Sequence, residues 1–217
     1  MSITNVTMLV FGRPRLVEQA LRTLKENTPA DAYTLTAFND SGFMGTGRAR
    51  NRVIELAEKD HDRGDYLYLS DGDVAFTPGW LNSLVAAYEF AKHQRLSVGA
   101  IGGYCHPYHH PIERIPFVCC GIGWGYVGEI GITLALPTQS MLMSWDAWDR
   151  YKPFVETPVG RVNCSEDFEF TQRMAKDGLR VAALYPPVVL NTARHDSFGN
   201  LAVGHELVKD IDGILIE

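Results

Sequence analysis

The N-terminal part of the chain alternates repeatedly between a short apolar, β-branched run and a segment with helical spacing. That alternation limits the fold more than any other feature. The runs are ITNVTMLVFG, AYTLTAFND and DYLYLS. Gly12 closes the first, Pro14 opens a helix, and Leu16, Val17, Ala20, Leu21 and Leu24 then recur at helical spacing to about Asn27. The second run ends on Asn39, Asp40, Ser41 and Gly42. It leads to GRARNRVIELAEKD, where Ala49, Val53, Leu56 and Ala57 form an inner face and Arg48 and Arg52 share another. Strands that alternate with helices in this way build an α/β fold with a mostly parallel central sheet flanked by helices.

Farther on, TPGWLNSLVAAYEFAKH reads as a helix with Thr77 as N-cap and Pro78 at its first position, and SVGAIGGY as a fourth strand. From Cys105 to Ile132 the pattern gives way to Pro, His, Gly and aromatic residues, so surface loops are expected, with short strands near Val118 and Trp124. TLALPTQSMLMS suggests another strand and WDAWDRY a short helix. SEDFEFTQRMAKDG is a helix capped by Ser165 and stopped at Gly178, and LRVAALYPPVVLN supplies one or two last strands. No repeat, low-complexity segment or linker interrupts the 217 residues, which at 46% hydrophobic and 21% charged suit one compact domain.

A formal charge of -6 leaves no basic footprint for bulk nucleic-acid binding. The N-terminus lacks a signal-like core, and no apolar stretch approaches the ~20 residues that span a bilayer, so a soluble cytoplasmic protein is expected. Cys105, Cys119, Cys120 and Cys164 show no C-x-x-C spacing and read as free thiols.

In open parallel sheets, ligands sit beyond the carboxyl ends of the strands, where Asp40 and Asp71 both fall. In SDGD, Asp71 and Asp73 lie two apart and can share a face, while Gly72 leaves room for close approach by a ligand. Paired carboxylates repel, and a bound Mg²⁺ or Mn²⁺ offsets that. An isolated D-x-D is more often a polar turn, so the neighbouring features decide. Arg13 after the first strand and Arg48 and Arg50 at a helix start are the cations expected to face the cleft, with guanidinium groups suited to phosphate or base edges. GFMGTG has the wrong spacing and position for a dinucleotide fingerprint.

The stretches LVFGRPRLVEQALRTL, FNDSG, GRARNRVIELA, YLYLSDGDVAFTPGWL and SEDFEFTQRMAKDG, in this order, resemble the family-2-like glycosyltransferases of the GT-A fold from about Thr4 to His195. The resemblance implies one glycosyltransferase domain: a nucleotide-binding half over 1–103, an acceptor and catalytic half over 104–200, and a tail over 201–217. It implies that Asp40 bonds the nucleotide base, usually uracil. Asp71 and Asp73 form the D-x-D pair, the first often turned toward ribose or water and the second ligating Mg²⁺ or Mn²⁺. Asp167, beside Glu166, matches the catalytic base of inverting members, and His195 a third metal ligand. Acids in a helix's first turn also suit the helix dipole, so Glu166 and Asp167 can serve both ends.

The expected function is therefore metal-dependent transfer of a single hexose from a nucleotide-sugar donor, a UDP-sugar, to a hydroxyl acceptor. The Q-x-x-R-W signature of processive synthases is missing after Asp167, which favours single transfer. A sugar-nucleotide nucleotidyltransferase and a non-catalytic nucleotide-sugar binding module are the rivals. The first would want a lysine-bearing phosphate loop that FGRPR does not supply. His106, His109 and His110 are placed in a loop near the acceptor rather than on a metal. Trp124, set among glycines, is the candidate for stacking on a sugar, whereas Trp145 and Trp148 default to the core. Stereochemistry and assembly into a homo-oligomer stay open.

Overall fold

The computed structural model describes residues 3–40, 44–104, 110–156, 166–192 and 215–216. The chain begins with β1 (Thr4–Val10), α1 (Pro14–Asn27), β2 (Tyr33–Asn39), α2 (Thr46–Asp60), β3 (Tyr66–Asp71), β4 (Val74–Phe76) and α3 (Trp80–His93). It continues through β5 (Val98–Gly102), β6 (Glu113–Gly121), β7 (Trp124–Thr133), β8 (Ser140–Ser144) and α4 (Trp145–Tyr151). The last elements are α5 (Glu166–Lys176), β9 (Arg180–Tyr185), β10 (Val189–Asn191) and β11 (Leu215–Ile216). One nine-stranded sheet runs β11-β2-β1-β3-β8-β5-β9-β7-β6, and β4 pairs with β10 in a small second sheet.

β1 is buried along its whole length because β2 and β3 both pair with it in parallel and helices cover both faces. Such a strand reads as a continuous apolar run. Its side chains alternate between two cores: Val6, Met8 and Val10 pack with α1 and α3, while Leu9 faces α2, α4 and α5. Trp80 and Phe76 anchor the first core with ring centroids 4.5 Å apart, and Phe154 and Phe170 the second at 4.4 Å. The indole of Trp80 donates to the Thr28 hydroxyl at 2.8 Å, which satisfies its one buried polar atom.

The parallel pattern expected from the sequence holds for β11, β2, β1 and β3. β8 then enters antiparallel between β3 and β5, β9 runs parallel to β5, and β7 and β6 close the sheet antiparallel, which makes it mixed. The region expected to be surface loops is largely the β6–β7 hairpin. Phe117 and Tyr126 turn inward from it, while Val118 and Val127 stay exposed at 68% and 75%. Alternation is present there, but Pro116 and the glycines obscure it.

α3 also starts later than its sequence suggests. Gly79, at φ 75°, is the residue before the helix, and the Thr77 hydroxyl donates to the Val188 carbonyl at 2.7 Å instead of capping α3. A competing acceptor on the neighbouring chain thus moves the start to Trp80. Ser144 does cap α4, accepting from the Ala147 amide at 3.2 Å. The proposed cap of α5, Ser165, lies outside the described residues, as do Cys105 and Cys164; Cys119 and Cys120 are free.

One close contact fixes how α2 meets α5. A Cβ on Gly47 would lie 1.9 Å from the Val155 carbonyl oxygen and 3.5 Å from the Glu166 Cβ. Backbone cannot yield as a side-chain tip can. Gly47→Ala is therefore expected to lower unfolding free energy by about 1–3 kcal/mol in urea titrations. An unchanged midpoint would show that this junction is loose.

Candidate active site

The carboxyl ends of β1, β2 and β3 lie on one edge of the sheet. Leu9 of β1 pairs with Asp71 on one side, and Val10 with Asn39 on the other. Asp40 and Asp71 therefore flank β1, roughly 10 Å apart at about 4.8 Å per strand spacing. The start of β8 reaches the same edge, since Ser140 pairs with Ser70.

Asp71 is tied to Arg50. That guanidinium is fully buried; it donates to the Ser70 carbonyl at 2.5 Å and to Asp71 Oδ1. A residue with no exposed surface does not reach a donor, so the expected direct contact of Arg50 with a ligand is corrected: it holds Asp71. Burial pushes the Asp71 carboxyl up to about 6, with Arg50 opposing and the charges of Asp73 and Asp167 adding to the rise. At neutral pH it is still ionised, as a buried arginine requires. Arg48 pairs with Glu156 at 2.9 Å on the surface.

Asp73 is about as accessible as Asp71, its side chain 18% exposed against 23%. Its Oδ1 accepts from Gln139 at 2.9 Å, and its Oδ2 lies 3.7 Å from Arg13. Gly12 and Arg13, at φ 59° and 57°, make the left-handed turn that brings Arg13 off β1 toward it. Its backbone carbonyl accepts from the amide and hydroxyl of Thr192, both at 2.8 Å. Gln139 in turn accepts from Asn191 at 3.2 Å. Gln139 and Thr192 carried no signal in the sequence, because neither is charged and both arrive from distant strands.

Gly72 has a different task from the one its sequence suggested. A Cβ there would meet Val17 Cγ2 at 2.9 Å, so the glycine makes room for α1 rather than for a ligand. Asp40 is 1% exposed and its Oδ1 accepts from the Met44 amide at 2.9 Å.

Glu166 and Asp167 stand in the first turn of α5. Glu166 is 3% exposed, and its Oε2 has no hydrogen-bond partner among the described residues. Burial pushes its carboxyl up to about 7, helped by the Asp167 and Asp71 charges and opposed by Arg50. The same electrostatic neighbourhood therefore contains Asp71, Asp73, Glu166 and Asp167. Four carboxyl groups against the guanidinium groups of Arg13 and Arg50 leave a charge of about -2 when all are ionised.

Among the described residues, no group of three or more His, Cys, Asp or Glu side chains could hold a metal by itself. The donor set nevertheless fits a hard divalent cation of the Mg²⁺ type, which is commonly held by one or two carboxylates together with substrate phosphates. His195 lies outside the described residues; Thr192, three residues before it, is bonded to Asp73.

Trp124 begins β7, lies against Gly121 at the hairpin turn and is in contact range of Gly79. Trp145 and Trp148 are 6% and 4% exposed, as core residues. His110 is exposed, and His106 and His109 fall outside the described residues. No helix among the described residues is long and apolar enough to cross a membrane.

No protein-family model matches the sequence, and no curated protein matches it. Solved structures do. A mannosyltransferase, PcManGT from Pyrobaculum calidifontis in complex with GDP-Man and Mn²⁺, superposes with a TM-score of 0.54 at 14% identity, over 90% of this chain and 58% of that one. GalNAc-T7 with UDP, GalNAc and Mn²⁺ gives 0.58 at 12% identity, over 94% and 46%. The chain spans about half the length of these structures, and it has their GT-A glycosyltransferase fold.

Two outcomes follow from the buried charges. Asp71→Ala would strand Arg50 and is expected to cost about 3–5 kcal/mol, whereas the double variant Asp71→Ala with Arg50→Met should recover much of the loss in a denaturation cycle. For Glu166, a raised folded-state value means that its stabilisation is full below about pH 4.5 and is lost as pH rises through about 7. In metal-free buffer Glu166→Gln should escape that loss, gaining about 2–3 kcal/mol on the native protein between pH 4.5 and pH 8. Parallel pH profiles of the two proteins would contradict this.

Proposed function

We propose that the protein is a metal-dependent glycosyltransferase that moves one sugar from a nucleotide-sugar donor, a UDP-sugar, to a hydroxyl acceptor. The observation that carries this reading is the net-negative carboxyl cluster of Asp71, Asp73, Glu166 and Asp167 at the carboxyl edge of a GT-A sheet. The two solved structures that share the fold hold Mn²⁺ with GDP-Man, or with UDP and GalNAc.

Asp73 and the free side of Asp71 would hold Mg²⁺ or Mn²⁺. When bound, the ion supplies charge to balance the departing diphosphate. His195 is a candidate third ligand: a chain of three residues reaches no more than about 11 Å from Thr192, which sits on Asp73. Asp167, in the less buried position of the helix start, takes the acceptor hydroxyl's proton as that oxygen bonds to the anomeric carbon. The bond from that carbon to the diphosphate oxygen breaks, and the nucleoside diphosphate leaves with the electron pair. Glu166 lies too deep to meet the acceptor; it holds the field around Asp167 and Asp71. Arg48 is assigned to the rim, and Asp40 shapes the base-side wall through its bond to Met44.

Arg13 has a double task in this scheme. Without metal it offsets the Asp73 charge from 3.7 Å, and with donor bound its guanidinium turns to the diphosphate.

The test is Asp73→Ala. Asp73 is not a core residue, so the variant should fold while losing Mn²⁺-stimulated turnover across a panel of sugar nucleotides by at least about a hundredfold. Arg13→Ala should bind Mn²⁺ alone more tightly but donor more weakly, read by calorimetry. Full activity in Asp73→Ala would refute the metal assignment. Pyrophosphate release would point to nucleotidyl transfer, and binding without turnover to a non-catalytic module.

A further inference from the structure

A concavity lies at the other end of β3 and β8 from the carboxyl cluster. Ser70 pairs with Ser140 at the acidic edge, while Tyr66 pairs with Ser144 at the far edge, and Ser144 lines a depression of about 390 Å³. The two ends of β8 are roughly 13 Å apart at about 3.3 Å per residue. The depression is thus distinct from the carboxyl cluster.

Lys92, Arg95 and Arg150 line it together with the carboxylate Asp146; with Glu89 on Lys92 and Asp177 on Arg150 counted, cations and carboxylates balance, and Arg95 is the lining cation without an ion-pair partner among the described residues. Arg150 is steadied by Asp177 at 2.8 Å, and Lys92 lies 3.6 Å from Glu89. The Arg95 side chain has no partner among the described residues, so its five donors point to no other use within the fold.

The backbone that presents Arg95 is strained. α3 ends in a Schellman arrangement: the Leu96 amide donates to the Ala91 carbonyl at 2.9 Å and the Arg95 amide to the Lys92 carbonyl at 3.1 Å. That places Arg95 at φ 56°, in the position where helices usually carry glycine. Ser97, also lining the depression, has φ 54°. A side chain in the left-handed region costs about 1 kcal/mol or more relative to glycine. Strain of this kind, repeated within three residues on the wall of a concavity, is characteristic of sites that need particular side chains.

We infer that this depression binds a small phosphate-bearing molecule, with Arg95 as its main contact and Lys92 and Arg150 beside it. Its volume falls in the range of small-ligand pockets, about 300–1,000 Å³. Tyr88 and Leu179 line it as well and give a ring or carbon chain an apolar surface. Guanidinium groups favour phosphate because they donate two parallel hydrogen bonds to it. The inference does not depend on the glycosyltransferase reading.

The experiment uses the full chain in metal-free buffer, with inorganic phosphate, pyrophosphate and a hexose phosphate as separate probes at constant ionic strength, read by calorimetry and thermal shift. Wild type should bind at least one of them, and Asp73→Ala should keep that binding. Arg95→Gly relieves the strained cap, so its ligand-free Tm should rise while its Kd weakens about tenfold or more. Lys92→Ala removes an exposed side chain but keeps the backbone carbonyl that the cap uses, so it should weaken binding without moving the ligand-free Tm. A preference for the hexose phosphate over free phosphate would identify a metabolite site, and the reverse a simple anion site. The inference is overturned if wild type binds none of the probes, if Asp73→Ala abolishes binding, or if Arg95→Gly and Lys92→Ala both keep the wild-type Kd.

Discussion

The pair of Arg50 and Asp71 is the contact on which the carboxyl edge of the sheet depends. Arg50 has no exposed surface, so its charge must be balanced inside the protein, and Asp71 together with the Ser70 carbonyl does so. The pair fixes the end of β3 against the start of α2. Gly47, one turn away on that helix, then allows the chain at Val155 and the head of α5 to close over it.

Carboxyl groups accumulate at this edge far beyond what stability favours. Asp71 and Glu166 both bind their protons more firmly than they would in water, each raised first by burial and then by neighbouring acids. The cluster, offset only in part by Arg13 and Arg50, is an arrangement that a divalent cation and a diphosphate would complete. At the far end of β3 and β8, a strained helix end presents Arg95 beside Lys92 and Arg150.

The acidic edge is also assembled from pieces far apart in sequence. Asp73 comes from the turn after β3, Gln139 from the approach to β8, Thr192 from the end of β10 and Asp167 from α5. β4 and β10 bring the last of these strands back by pairing antiparallel, so Thr192 donates to the Asp73 carbonyl. The turn that carries the acidic pair is held from both sides before any ligand arrives.

Much of the fold was legible in the sequence. The strands β1, β2 and β3 are runs of apolar and β-branched residues because they are buried on both faces, and α1 and α2 show helical spacing because each covers one face. Asp40, Asp71, Asp73, Glu166 and Asp167 stood out as acids at strand ends or in a helix's first turn, where local spacing is enough to mark them. What the sequence left undecided were the long-range partners. The antiparallel entry of β8, the β6–β7 hairpin and the shift of the α3 start depend on hydrogen bonds to distant chain, such as that from Thr77 to Val188. Arg50 read as a ligand contact, and Gly72 as space for a ligand. Only tertiary packing could show that the first is sealed inside and that the second makes room for Val17, because burial belongs to the assembled sheet and helices and not to a residue's place along the chain.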